Sequence, residues 1–156
     1  MEFRSSSVMA YIVLYCYQHG IDINQTKIQK LLYCCYGVVL AVLGERLTDE
    51  RPQAWMYGPV FPRTYKDVKK NKLTREMARE FESECPGEAL SLIHRTLDYF
   101  GAKSAKDLSN WSHEKGSPWS KTGPLMALCD SDVAEYFQSS VVSAVVNGGS
   151  LNGAAS

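Results

Sequence analysis

Histidine and cysteine are two residue types that could act as a nucleophile, a general base or a metal ligand near neutral pH. The three histidines stand far apart, and none occurs in H-E-x-x-H or in the paired C-x-x-C and H-x-x-H spacing of zinc sites. A zinc site made from His94, His113 and Cys129 is the one arrangement left open. No motif points to it, and we therefore predict no metal and no cofactor.

A cysteine nucleophile needs a base, usually histidine, and a group that orients the base. Cys34 or Cys35 with His113 and Asp107 would be such a set. Both cysteines lie within an apolar run, where thiols stay protonated and pack as small hydrophobic side chains. The sequence also has no G-x-S-x-G, P-loop or dinucleotide-binding motif. We predict no catalytic residue and a protein that is not an enzyme, with a small Cys/His-dependent hydrolase as an alternative.

Two loops combine aromatic side chains with turn residues. In the first, Trp55 and Tyr57 stand beside a Gly58-Pro59 turn, and in the second His113 precedes Pro118-Trp119. Tryptophan and tyrosine are enriched among the residues that dominate binding energy in protein interfaces. These side chains either latch the loops together, with a hydrogen bond from His113, or expose their edges as a protein-binding face.

A long amphipathic helix is the element that must position these loops. Its apolar residues recur every three or four positions for four turns, namely at Ile28, Leu31, Leu32, Cys35, Tyr36, Val39, Leu40 and Leu43. It ends at Gly44, and it begins either with Asn24 as the cap or with a Thr26–Gln29 capping box. We interpret it as the core helix, on which Lys30 and Tyr33 support the loops.

The rest of the chain predicts a mainly α fold, as a single compact helical domain over residues 1–146 with a small β excursion near residues 50–61. Pro62 suits the first turn of the next helix, Ser104 caps a later one, and residues 112–124 are expected to form a loop. Ser131 or Asp130 is expected to cap one last helix. Residues 147–156 are small and polar and are predicted to be a flexible C-terminal tail.

The charge balance, the cysteines and the lack of a long apolar segment indicate which partners and which compartment to expect. Seventeen basic residues balance seventeen acidic ones, whereas nucleic-acid binders usually carry a basic excess, so the basic cluster between Arg63 and Arg75 is interpreted as a solvated helix face. Five cysteines without C-x-x-C spacing favour free thiols and a reducing compartment. No signal peptide or membrane-spanning segment is recognised, and we predict a cytoplasmic protein with no membrane association.

Several short motifs in fixed order resemble the Panacea domain family, the SocA-like and GepA-like phage-associated antitoxin proteins. The resemblance covers Ile23 to Lys121 and rests on the order and spacing of these segments together: Lys27–Tyr33 (KIQKLLY), Ala54-Trp55, Gly58–Val60, Tyr65, Leu108-Ser109, His113 and Pro118-Trp119. It implies an antitoxin of a bacterial type II toxin–antitoxin system that neutralises a cognate toxin protein by direct contact.

The composition agrees with a binding protein but does not itself identify a toxin. Two other functions stay open beside the hydrolase. One is a proteolytic adaptor, or phage-associated interaction protein, that delivers its partner to a cellular protease. The other, nucleic-acid binding through residues 63–75, is disfavoured by the neutral charge.

Overall fold

The computed structural model describes residues 1–147, so all of the predicted tail except Asn147 lies outside the described residues. Within them the protein is mainly α, as predicted, with eight α-helices and one hairpin. The helices are α1 Ser5–Gln18, α2 Gln25–Leu43, α3 Pro62–Lys69, α4 Arg75–Glu84, α5 Gly87–Phe100, α6 Ala105–Ser112, α7 Asp130–Ser140 and α8 Val142–Val146. The strands are β1 Gln53–Trp55 and β2 Gly58–Val60.

Helix α2 is the centre of the core. The side chain of Asn24 accepts a hydrogen bond from the Lys27 N–H, which selects Asn24 as the cap. Gln29 is not available for a capping box, because its Oε1 accepts the N–H of Phe61 at 2.9 Å. The helix ends at Gly44, whose φ of 72° is the left-handed conformation typical of a glycine C-cap.

The other helices pack around α2 and its neighbour α1. Helices α5 and α7 lie against α2, while α4 lies along α1. One cluster of buried apolar side chains runs from Val8 to Val145. Of the helices in the described residues, only α2 is long and apolar enough to span a membrane, and most of it is buried inside the fold, as in the core helix of a globular domain.

A two-residue connection joins β1 and β2 into an antiparallel hairpin, with Trp55 opposite Gly58 and Met56 and Tyr57 at the tip. The predicted β excursion is therefore confirmed. A further segment extends this hairpin, because the Leu125 N–H donates to the Ala54 carbonyl at 2.8 Å and the Ala54 N–H donates to the Met126 carbonyl at 2.9 Å.

The end of the chain differs from the prediction of a single last helix. Helix α7 begins at Asp130 with Cys129 in the capping position, so neither Ser131 nor Asp130 is the cap. Val141, with φ −127° and ψ −46°, separates α7 from α8. These dihedrals are not helical and interrupt the helix, and Val141 and Val145 are both buried in the core.

Candidate functional site

The hairpin tip owes its shape to glycine. Met56 and Tyr57 keep negative φ angles, and Gly58 supplies the positive one, at 118°. A Cβ atom at Gly58 would lie 2.5 Å from Cε of Lys30 and 2.6 Å from Oγ of Ser112, so glycine is also needed for close packing. The hairpin thus rests directly on α2 and on the end of α6.

A latch made of Trp119 and His113 holds the hairpin from the other side. The indole N–H of Trp119 donates to the carbonyl of Trp55 at 2.7 Å. Nε2 of His113 lies 2.8 Å from the carbonyl of Met56, and the two latch rings are 3.9 Å apart between centroids. The hydrogen bond that the sequence suggested between His113 and the first loop is therefore present.

Both nitrogens of the His113 ring face carbonyl groups. A carbonyl oxygen can only accept, so a hydrogen bond to the Met56 carbonyl requires a hydrogen on Nε2. Nδ1 faces a second carbonyl, that of Ser109 one helical turn earlier. A neutral ring can donate to one of these carbonyls, whereas the imidazolium can donate to both. Both ring nitrogens are thus engaged in positioning the hairpin.

The residues of the first loop have different exposures. Gly58 and Pro59 are buried, with Pro59 opposite Ala54 in the hairpin register. Trp55 is half-buried and meets Tyr65 edge to face at 5.1 Å. Tyr57 is 68% exposed, and its neighbour Met56 is 76% exposed. Two apolar side chains at the tip therefore face solvent.

The two helix residues predicted to support the loops lie in different surroundings. Lys30 is 1% exposed and runs beneath Gly58, next to the hairpin. The ring of Tyr33 instead contacts Phe137, edge to face at 5.3 Å, and Trp111. Burial raises the pKa of the Tyr33 hydroxyl well above its usual value. Of the two, only Lys30 reaches the hairpin in the described contacts.

Nucleophilic chemistry is not assembled among the described residues. Cys34 and Cys35 are fully buried, and burial raises the pKa of both thiols well above the usual value. His113 is hydrogen-bonded to carbonyl groups and to neither cysteine. His94 pairs with the Tyr11 hydroxyl, and residues 1–147 contain no group of three His, Cys, Asp or Glu side chains placed to hold a metal ion.

The structure adds residues that sequence reasoning did not select. Met56 lies at the hairpin tip, while Leu125 and Met126 are exposed apolar residues hydrogen-bonded through their backbones to β1. The sequence does contain a signal for Leu125 and Met126. These two large apolar residues follow a Gly123-Pro124 turn and belong to no helical pattern.

Comparisons with known proteins agree with the motif resemblance. A family model described as "Antitoxin SocA-like, Panacea domain" matches residues 28–120. Antitoxin SocA of Caulobacter vibrioides (strain NA1000 / CB15N) is 28% identical over 146 residues, which covers 81% of this chain and 78% of that protein. No solved structure gives a significant match. The matched region contains α2 from Ile28 onward, the hairpin and both latch residues, and the chain belongs to the SocA-like Panacea domain family of antitoxins.

Proposed function

We propose that this protein is the antitoxin of a bacterial type II toxin–antitoxin pair and neutralises its cognate toxin by direct binding at the hairpin. The observation that carries the proposal is the exposure of Met56 and Tyr57 on a hairpin tip that His113 and Trp119 hold in place. A rigid element that presents apolar side chains loses little conformational entropy on binding.

The residues of the face have separate roles in this proposal. Tyr57 contacts the toxin, together with its neighbour Met56. Trp55, Gly58 and Pro59 give the hairpin its shape, and the latch residues keep it in position. Because Leu125 and Met126 are exposed and adjoin β1, they extend the apolar face.

The cytoplasm is the proposed location. All five cysteines are free, and four of them are buried. Free thiols persist in a reducing compartment.

Co-expression tests the proposal. The reading frame next to this one is expressed in a bacterial host with and without this protein, and growth is scored. Restored growth, followed by co-purification of the two proteins, is expected. Persistent arrest beside folded protein would contradict the proposal, and loss of the toxin through a cellular protease would replace blocking with the adaptor function.

Variants of exposed aromatic residues test the location of the face. Tyr57→Ala is expected to weaken toxin binding by about tenfold or more without unfolding the protein, because the side chain is largely in solvent. Tyr17→Ala is the matched control, since Tyr17 is 79% exposed on α1. Loss of binding in the control and not in Tyr57→Ala would move the interface elsewhere. Trp55→Ala should abolish neutralisation as well, by removing the ring that packs on Tyr65.

A further inference from the structure

Lys30 is a buried lysine without an ionic partner. Its side chain makes no hydrogen bond or ion pair among residues 1–147, although Lys30 is 1% exposed. Lysines are rarely buried to this extent unless they are paired, because removing an ammonium group from water is costly. Lys27, one turn earlier on α2, shows the usual solution, since its Nζ donates to the Gly101 carbonyl at 2.8 Å.

A cavity of about 420 Å³ lies between the start of α2 and the hairpin, and Lys30 is part of its wall. The lining also includes Gln29, Trp55, Tyr57, Val60 and Tyr65. Among residues 1–147 no carboxylate lines it, and Lys30 is the one charged side chain of the lining. The first turn of α2 borders the same space, and the helix dipole adds positive potential there.

This combination suits one kind of ligand group. A single cation with aromatic walls matches a carboxylate attached to an apolar stem. A phosphate is usually held by several donors, and Lys30 is the one cationic side chain among the lining residues. The burial of Lys30 also means that much of the desolvation cost of the cation is incurred when the protein folds, so an arriving carboxylate gains the ion pair at lower cost.

We propose that the cavity receives an aspartate or glutamate side chain of the partner protein, which pairs with Lys30 while a neighbouring apolar residue packs on Met56 and Tyr57. This inference rests on the proposed function, because it assigns the partner's contact group at the same hairpin face. Burial also lowers the pKa of Lys30 to about 8, which leaves the side chain mostly protonated at neutral pH.

A small carboxylate tests the chemistry of the cavity without any toxin. Phenylacetate and its neutral analogue phenylacetamide are titrated into isotopically labelled full-length protein, and the NMR signals of Lys30 and of the Trp55 indole are followed. Phenylacetate is expected to bind at least about tenfold more tightly than the amide, as a charge-assisted hydrogen bond implies. Equal binding of the two compounds, or binding of neither, would overturn the proposal.

Two lysine variants complete the test. Lys30→Met keeps an unbranched side chain, one atom shorter than lysine, and removes its charge, and it should abolish the preference for phenylacetate. Lys106→Met removes the same charge from the exposed start of α6 and should leave the preference unchanged. A preference that survives in Lys30→Met would overturn the assignment of Lys30 as the receptor.

Toxin binding by the same two variants is the second test of this inference. Lys30→Met is expected to weaken toxin binding by about tenfold or more, while Lys106→Met binds as the unmodified protein does. If Lys30→Met binds the toxin normally, this inference fails and the proposed function stands. If phenylacetate binds as expected but no toxin is neutralised, the proposed function fails and the carboxylate preference of the cavity stands.

Discussion

At the scale of one residue, burying Lys30 lowers the stability of the protein at a position that we propose for binding. Its ammonium group lies under Gly58, in contact with the hairpin and away from any carboxylate of the described residues. Desolvation lowers its pKa from 10.5 to about 8, a change equivalent to about 3 kcal/mol. Natural proteins commonly accept such a cost at binding sites.

Replacing this lysine should change the pH dependence of stability. Between pH 8 and 10.5 the unfolded chain binds the Lys30 proton and the folded chain has released it, so the free energy of unfolding rises with pH through this window. Lys30→Met should therefore be more stable than the unmodified protein below pH 8, and the difference should shrink toward pH 10.5. Chemical denaturation of both proteins at a series of pH values measures it.

Comparing the two proteins cancels the titration of tyrosines and cysteines that they share. Lys106→Met serves as the control and should show no such pH-dependent difference. A constant difference between Lys30→Met and the unmodified protein across the window would contradict the role assigned to burial.

Leu125 is a second residue whose replacement should weaken binding without lowering the stability of the protein. Its φ of 64° lies in the left-handed region, which costs a residue with a Cβ atom roughly 1–2 kcal/mol. Leu125→Gly should leave the free energy of unfolding unchanged or raise it by up to about 1 kcal/mol, because glycine relieves the strain but adds entropy to the unfolded chain. It should also weaken toxin binding. Thermal unfolding and a binding titration on the same sample test both statements.

At the scale of elements, close packing of α2 against α7 depends on Gly37, which has no side chain. A Cβ atom at Gly37 would lie 2.4 Å from the ring of Phe137. That ring is fully buried and contacts Tyr33, Trp111 and Tyr136, so it has little freedom to move aside. Glycine within a helix is normally a weakness, and here it allows α7 to approach the core helix.

Gly37→Ala should consequently destabilise the protein by about 1–3 kcal/mol, since the overpacking outweighs the gain of up to about 1 kcal/mol in helix propensity. Gly87→Ala is the matched control, because a Cβ atom there meets nothing within 4 Å. Its stability should be unchanged or slightly higher. Urea unfolding of both variants makes the comparison, and a Gly37→Ala protein as stable as Gly87→Ala would show that α7 adapts.

At the scale of the whole molecule, the core and the hairpin should unfold together. The buried cluster is continuous from Val8 to Val145, and the hairpin is tied to it through Gln29 and Trp119. Small single domains of about this size usually unfold in one step.

Tryptophan positions allow this to be measured. Trp111 lies among the core aromatic residues, whereas Trp55 and Trp119 report on the hairpin. In a Trp111→Phe variant, fluorescence should follow the hairpin alone, and its unfolding transition should coincide with the loss of helical circular dichroism. A fluorescence transition at lower denaturant would reveal a separately unfolding hairpin.

The sequence alone determined most of the helices and the small β excursion, because these depend on neighbouring residues. Helical hydrogen bonds join residues four apart, so the apolar spacing of α2 and its terminal Gly44 are local signals. The motif order also identified the family, and with it the residues of the hairpin and the latch.

Only the tertiary structure decided the outcomes that depend on contacts between distant residues. Gln29 does not form the predicted capping box with Thr26, because its side chain accepts a hydrogen bond from the backbone N–H of Phe61, which lies outside α2. Lys30 is buried because the hairpin closes over it, and the last helix breaks at Val141, which is buried in the core. These outcomes depend on which parts of the chain pack together. A local sequence pattern does not specify contacts with residues dozens of positions away.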